Sequence, residues 1–312
     1  MPAPPSFSPA RNQVAVAALV AAAACWGVGT VVTKQVVDDV APLTLLPLQL
    51  AASSAFLLVV AAVRHEPLAW TAPLRRLAGL GVLNPGLAYA LGLVGLTAIT
   101  ASLSVLLWAA EPALIMLLAA LILRERIPTA LGLSLGAALV GVLLVVYQPG
   151  AAGDATGIAL TLAGVGCCAL YTVLTRRLLL DDSSLSVALT QQAAALVFAV
   201  LLATGAEAVG ATGWEIEGLD AEAWLGAVVS GVLYYGLAFW LYLTGLRHVP
   251  ASYAGAFLPL IPVFGVAAGY LVGERLESRQ WVGAALVIVA TGVIGLREVI
   301  TQRRTRCPRG RA

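Results

Sequence analysis

Charged residues are scarce in this chain of 312 residues, since only 11% are Asp, Glu, Lys or Arg whereas 60% are hydrophobic. A soluble globular domain carries about 25% charged residues, and the mean hydropathy of this chain is +0.94. Charge-free runs of about 20 residues, the length that crosses a bilayer as a helix, recur along most of the sequence. The scarcity of charge therefore excludes a soluble protein and indicates an all-α polytopic membrane protein.

Several groups that enzymes and ATP-driven pumps require are also missing from the apolar runs. Both histidines, His65 and His248, fall in predicted loops, and no aspartate lies in the middle of a run. Neither a Ser–His dyad nor an aspartate pair can therefore form inside the membrane. No P-loop pattern occurs. The four cysteines show no metal-ligand spacing, and we predict neither a metal site nor a cofactor.

Lysine and arginine occur only near the ends of the apolar runs. A phosphorylated or nucleotide-linked substrate would need fixed cations, preferably a bidentate arginine. We therefore expect a site for small neutral, zwitterionic or cationic molecules, such as amino acids or drug-like compounds. Aromatic faces and a carboxylate can hold such molecules.

The hydrophobic pattern predicts ten transmembrane helices. The run 77–110 continues as far as Leu123, which is too long for one helix, and the segment Gly95–Thr100 divides it into two. With a cytoplasmic N-terminus, 15 of the 18 Lys and Arg residues lie inside and 3 lie outside, a bias that places both termini in the cytoplasm. The predicted spans are 13–33, 43–63, 75–95, 99–123, 129–147, 156–176, 185–205, 222–245, 250–273 and 280–297.

The second half of the chain repeats the first. The segment TVVTK (30–34) matches TVLTR (172–176), and 86–102 matches 236–252 at nine of seventeen positions. Because each unit has five helices, the second copy enters the membrane from the opposite side, which makes an inverted repeat. Secondary transporters often have this architecture, with a site near the midplane between the halves. The predicted segments are 1–12, disordered; 13–147, the first repeat; 155–297, the second repeat; and 298–312, a basic cytoplasmic tail.

Glu111 lies in the middle of the predicted fourth span and is followed by Pro112. A charged residue at the bilayer centre costs about 2.5–3.5 kcal/mol on insertion scales, so it usually occupies an interior site. Pro112 cannot donate to the carbonyl of Trp108, which predicts a kink. The alternative is a buried glutamate that bonds a neighbouring helix only for packing. Residues predicted to bind substrate or protons are Glu111, Trp108, Asn84, Tyr89, Gln49, Gln191, Trp26, Tyr171, Tyr234 and Trp240, with helix breaks at Pro112, Pro259 and Pro262.

Each half ends in the same way, with a proline, a Glu-Arg pair about twelve residues later, and a glycine-rich final helix. The two endings are EPALIMLLAALILRERI (111–127) and IPVFGVAAGYLVGERL (261–276). This pattern resembles the EamA family of the drug/metabolite transporter superfamily over roughly 13–297. The resemblance implies a central cavity built by helices 1–4 and 6–9, with helices 5 and 10 at the periphery. The first unit departs from the usual Gly-Glu-Arg by having Arg124 before Glu125.

These observations together favour a secondary active transporter in the cell inner membrane. We expect it to export its substrate by proton coupling or exchange. A passive facilitator or channel is the alternative, and a membrane-embedded enzyme is a weaker one. The expected partners are a small-molecule substrate and the lipid bilayer, without nucleic acid, and a homodimer is compatible with the sequence. Glu125 and Glu274 each adjoin an arginine and are expected to form ion pairs at helix ends.

Overall fold

The computed structural model describes residues 9–37, 40–66, 71–96, 98–99, 104, 107–147, 154–179, 183–210, 214, 216, 219–271 and 278–304. These residues are predominantly helical and include no β-strand. Among the described residues, seven helical stretches are long and apolar enough to cross a membrane when Ala221–Leu246 and Ala251–Leu271 are each counted as one, and two shorter apolar helices accompany them. The described part of the chain is therefore a polytopic helical membrane protein, as the composition predicted. The number of ten spans stays a prediction.

The helices agree within a few residues with the predicted spans 43–63, 129–147, 156–176 and 185–205. The predicted spans 75–95, 99–123, 222–245 and 250–273 are instead divided into shorter segments where the residues are described. The helix α1 begins at Pro9, inside the segment 1–12 that was predicted to be disordered, because proline fits the first turn of a helix. The helices are α1 Pro9–Val37, α2 Pro42–Val63, α3 Ala72–Gly81, α4 Ala88–Leu96, α5 Glu111–Ile122, α6 Thr129–Val146, α7 Ala155–Leu178, α8 Ser184–Ala208, α9 Ala221–Ser230, α10 Ala238–Leu246, α11 Ala251–Gly255, α12 Leu260–Leu271 and α13 Ser278–Arg304.

Two π-helical segments interrupt otherwise continuous helices. The segment π1, Val82–Leu87, joins α3 to α4, and π2, Gly231–Leu237, joins α9 to α10. In π1 the backbone of Asn84 leaves helical geometry, with φ −150° and ψ 123°, and the following Pro85 has no N–H to continue the ladder. Such π-helical turns occur frequently at functional sites.

Helices from the two halves of the chain pack against each other. The helix α1 lies against α10 and α12 of the second half, and α7 lies against α4 and α5 of the first. In the same way α2 contacts π2, whereas α8 contacts π1 and α3. The helices α6 and α13 pack extensively on each other. The core is therefore formed between the halves rather than within either one.

Two glycines set how closely these helices approach. A Cβ placed on Gly81 would lie 2.0 Å from the carbonyl oxygen of Gln191, and one on Gly231 would lie 2.5 Å from that of Gln49. Since real Cβ atoms do not approach a carbonyl so closely, glycine is required at both crossings. The two contacts join sequence-equivalent positions of the halves, because Gly81 and Gln49 in one half correspond to Gly231 and Gln191 in the other.

Candidate functional site

A cavity of about 340 Å³ lies between the halves. This is within the size range of small-molecule sites, which are mostly apolar with a few polar groups. Its lining residues come from both halves, that is from α1, π1, α4, α5 and α6 of the first and from α7, π2, α10 and α12 of the second, with the turns before α5 and α12. Those residues that the sequence predicted are Trp26, Asn84, Tyr89, Trp108, Glu111, Tyr171 and Tyr234, together with Pro112, Pro259 and Pro262.

Glu111 is the first residue of α5, directly after a turn at residues 109–110. Pro112 therefore lies in the first turn of a helix, where proline is favoured, and not at a kink within a continuous helix. The partial positive charge of a helix N-terminus favours a carboxylate at this position. Glu111 is the only charged residue among the described residues that line the cavity.

The second half has a matching interruption. Residues 256–259 form turns between α11 and α12, so that Pro259 immediately precedes α12 and Pro262 lies in its first turn. Turn hydrogen bonds run from the N–H of Leu260 to the carbonyl of Phe257 (3.1 Å) and from that of Ile261 to Leu258 (2.9 Å). Each half thus has a helix break at the cavity, before α5 in the first half and between α11 and α12 in the second.

Tyrosine and tryptophan rings form one wall of the cavity. The ring of Tyr89 stacks on that of Trp108 with centroids 5.8 Å apart and an interplanar angle of 24°. Tyr89 also meets Tyr234 edge to face at 5.7 Å, and its hydroxyl donates to the Tyr234 hydroxyl at 3.2 Å. Because Tyr234 belongs to π2 and Tyr89 to α4, this pair joins the two interrupted helices across the halves.

Trp26 lies at the centre of a second aromatic group. Its ring meets Phe239 edge to face at 5.4 Å and Tyr242 at 5.3 Å. Each such contact contributes about 0.5–1.5 kcal/mol beyond the area it buries. The indole of Trp26 is therefore held in a defined orientation against α10.

Two polar atoms of the lining residues have no hydrogen-bond partner in the described part of the chain. They are Nε1 of Trp26 and Oδ1 of Asn84, in side chains that are 7% and 6% exposed. An unsatisfied buried polar atom costs about 1–3 kcal/mol. One donor and one acceptor of residues that line the cavity with Glu111 are therefore left without a partner among the described residues.

Three of the expected site residues do not line this cavity. The Gln49 amide donates to the hydroxyls of Ser230 (2.8 Å) and Thr33 (3.2 Å). The Gln191 amide donates to the Leu77 carbonyl at 3.0 Å and accepts from the hydroxyl of Tyr171 at 2.7 Å. Both side chains are buried where helices cross, so these polar residues inside the apolar spans make hydrogen bonds between helices.

Trp240 is the third residue placed elsewhere. The Arg64 guanidinium lies 5.0 Å from its ring centroid, a distance at which cations and aromatic faces attract. The two residues border a separate cleft near the end of α2 and the start of α8. Trp240 lies inside its predicted span, as a cavity residue would, but it borders this separate cleft and not the cavity.

Sequence reasoning also missed some lining residues. Thr30, Thr172 and Tyr242 border the cavity, and the Thr172 and Tyr242 hydroxyls are 3.3 Å apart. Thr30 and Thr172 are the first residues of the matched segments TVVTK and TVLTR. Their identity in both halves was the signal that could have identified them.

The described residues include no group of three or more His, Cys, Asp and Glu that could hold a metal ion. The aromatic wall, one carboxylate and a few hydroxyls can instead bind an organic molecule.

Glu125 makes a contact between the halves that differs from the predicted ion pair. Its carboxylate accepts from the N–H groups of Ala251 (2.9 Å) and Ser252 (3.1 Å) and from the Ser252 hydroxyl (2.5 Å). The first N–H groups of a helix have no acceptor within the helix, and at the start of α11 Glu125 supplies one. Beside them the Arg176 side chain donates to the carbonyl of Val249 at 2.9 Å. Glu274, its counterpart in the repeat, lies outside the described residues.

Comparison with known proteins finds the same family profile in both halves of the chain. The EamA-like transporter family matches residues 13–147 and 155–296. An uncharacterized transporter of Archaeoglobus fulgidus is 24% identical over 270 residues, which cover 86% of this chain and 94% of the relative. The uncharacterized transporter YyaM of Bacillus subtilis is 29% identical over 226 residues, 69% of this chain and 72% of that protein. One solved crystal structure superposes with a TM-score of 0.78 at 18% identity and covers 95% of this chain and 99% of its own.

Proposed function

The chain belongs to the EamA-like transporter family, and from that premise we propose that it is a secondary active transporter of small neutral, zwitterionic or cationic metabolites. The observation that carries the proposal is the cavity between the halves, which has aromatic walls, one carboxylate and no cationic side chain among its described lining residues. Amino acids and drug-like amines suit such a site. We propose export as the direction, with coupling to protons or exchange as the source of energy.

We propose that Glu111 couples the transport of substrate to the movement of protons. In a cavity without a fixed cation its carboxylate holds either a proton or the cationic group of a substrate, but not both. Competition for one carboxylate gives exchange without a second site. The helix break at residues 109–110, immediately before Glu111, and the one at residues 256–259 supply two places where the bordering helices can bend as the halves move.

We further propose that the protein crosses the cell inner membrane ten times, as two inverted five-helix repeats. Both termini then lie in the cytoplasm. Three structural observations support the repeat. The segments π1 and π2 occupy equivalent positions, the close contact of Gly81 with Gln191 mirrors that of Gly231 with Gln49, and α1 and α7 make equivalent contacts with the opposite half. Two related units with exchanged contacts are what an inverted repeat produces.

The proposal is tested by transport into proteoliposomes with and without an imposed pH gradient. Phenethylamine and phenylalanine serve as labelled probes. We expect the wild-type protein to accumulate at least one of them against its gradient only when a pH gradient is present. Glu111→Gln preserves the shape of the side chain and removes its exchangeable charge, so we expect this variant to fold and to lose gradient-driven accumulation.

The control is Glu207→Gln, because Glu207 is an exposed carboxylate at the end of α8. It should transport as the wild type does. Accumulation at the wild-type level by well-folded Glu111→Gln would reduce Glu111 to a packing residue. Equilibration of the probes without accumulation, whatever the gradient, would instead identify a passive facilitator.

A further inference from the structure

The substrate class can be narrowed from the polar atoms that the cavity leaves unsatisfied. Trp26 Nε1 and Asn84 Oδ1 both belong to lining residues more than nine-tenths buried, and both lack a hydrogen-bond partner in the described part of the chain. Native proteins satisfy most buried polar atoms, so each exception requires an explanation. A ligand that bonds both atoms is such an explanation.

The chemistry of each atom is fixed by its side chain. An indole N–H can only donate, and an amide oxygen can only accept. The ligand must therefore offer an acceptor to Trp26 and a donor to Asn84. A simple hydrocarbon amine satisfies the second requirement and fails the first.

The charge of the cavity restricts the acceptor further. Glu111 is the only charged side chain among the described lining residues. When Glu111 is ionised, a ligand with one positive charge leaves the cavity neutral, whereas a zwitterion leaves it with an excess negative charge. When Glu111 is protonated, neither pole of a zwitterion has a fixed counter-charge. A buried charge without a partner is costly, so the acceptor should be neutral.

We propose that the cavity binds a monocationic amine that also carries a neutral hydrogen-bond acceptor such as an amide or ester carbonyl. The ammonium bonds Glu111 and Asn84 Oδ1, and the acceptor receives the N–H of Trp26. The stacked rings of Tyr89 and Trp108 hold the apolar body of the ligand. This inference rests on the proposed function in that it uses the same cavity, and it refines the substrate class.

Three matched probes test the proposal on the purified full-length protein. Phenylalaninamide has an ammonium group and a neutral carbonyl, phenylalanine has an ammonium group and a carboxylate, and phenethylamine has the ammonium group alone. Dissociation constants are measured by calorimetry in detergent. We expect phenylalaninamide to bind about 3- to 10-fold more tightly than phenethylamine, which corresponds to one net hydrogen bond. Phenylalanine should bind at least about tenfold more weakly than phenylalaninamide, because of its unpaired carboxylate.

Trp26→Phe removes the N–H and retains an aromatic ring. We expect it to reduce the ratio of the phenylalaninamide and phenethylamine affinities to about one, whatever its effect on packing. Trp108→Phe is the matched control, since Trp108 stacks on Tyr89 and its N–H is not among the unsatisfied atoms. It should weaken all three probes similarly and preserve the ratio.

The proposal is overturned if phenylalaninamide does not bind, if phenylalanine binds as tightly as phenylalaninamide, or if Trp26→Phe preserves the ratio. These outcomes are separate from the test of transport. Binding in the expected order without gradient-driven accumulation would refute the coupled mechanism alone. Coupled transport with phenylalanine as the preferred ligand would refute the substrate class alone.

Discussion

Replacement of Glu125 by glutamine should loosen the start of α11 and weaken one connection between the halves. The Glu125 carboxylate accepts three hydrogen bonds, two from the backbone N–H groups of Ala251 and Ser252 and one from the Ser252 hydroxyl. Glutamine retains one acceptor oxygen and directs an NH₂ group at the remaining donors. At least one backbone N–H at the helix start then loses its partner.

The magnitude follows from the kind of bond that is lost. A hydrogen bond to a charged group contributes about 1.5–3 kcal/mol net, and removal of a helix N-cap typically costs about 1 kcal/mol. Glu125 is partly buried, which limits screening by solvent. We therefore expect a loss of about 2 kcal/mol, equivalent to about a 30-fold change in an equilibrium constant.

Hydrogen–deuterium exchange of the purified protein measures this loss where it occurs. The amides of residues 251–252 should exchange up to about 30-fold faster in Glu125→Gln than in the wild type, while those at the start of α8 remain unchanged. Glu207→Gln, which alters an exposed carboxylate, should leave both regions unchanged. If a well-folded Glu125→Gln variant exchanges at the wild-type rate over 249–255, the carboxylate does not hold this helix start and the reasoning fails.

Two further substitutions concern backbone geometry. Gly81→Ala should destabilise the protein by several kcal/mol or prevent folding, since its Cβ would collide with the Gln191 carbonyl. Gly79→Ala is the control, because no atom lies within 4 Å of a Cβ there. Equal unfolding temperatures of the two variants would contradict the contact. Arg124 has a φ of 55°, a left-handed conformation that costs a non-glycine residue about 1–2 kcal/mol. Arg124→Gly should therefore raise the unfolding temperature. If Arg126→Gly raises the unfolding temperature equally, the effect comes from the lost charge instead.

The composition and the apolar runs were sufficient to predict a helical membrane protein, because the bilayer requires long charge-free segments. The internal repeat and the Glu-Arg endings were sufficient for the family. These features are properties of contiguous sequence. They can be recognised without any knowledge of how the helices cross.

The orientation of individual side chains could not be predicted in the same way. Gln49, Gln191 and Trp240 have the depth of cavity residues, but which face of a helix meets the cavity depends on the crossing angles of its neighbours. The partners of Glu125 lie 126 and 127 residues away in the chain, whereas an arginine stands next to it. Sequence proximity therefore suggested an ion pair where the structure has a helix cap.

The exchange of contacts between the halves has a consequence for biosynthesis. The face of α1 that packs on α10 and α12 leaves the ribosome about 200 residues before α10 begins. At about 5–20 residues per second this is a delay of about 10–40 seconds. During that interval Trp26 and Thr30 on α1 have only lipid, the insertion machinery or other helices of the first half as neighbours. The nascent first half is therefore the stage at which the cell's membrane quality control should most readily recognise and degrade this protein.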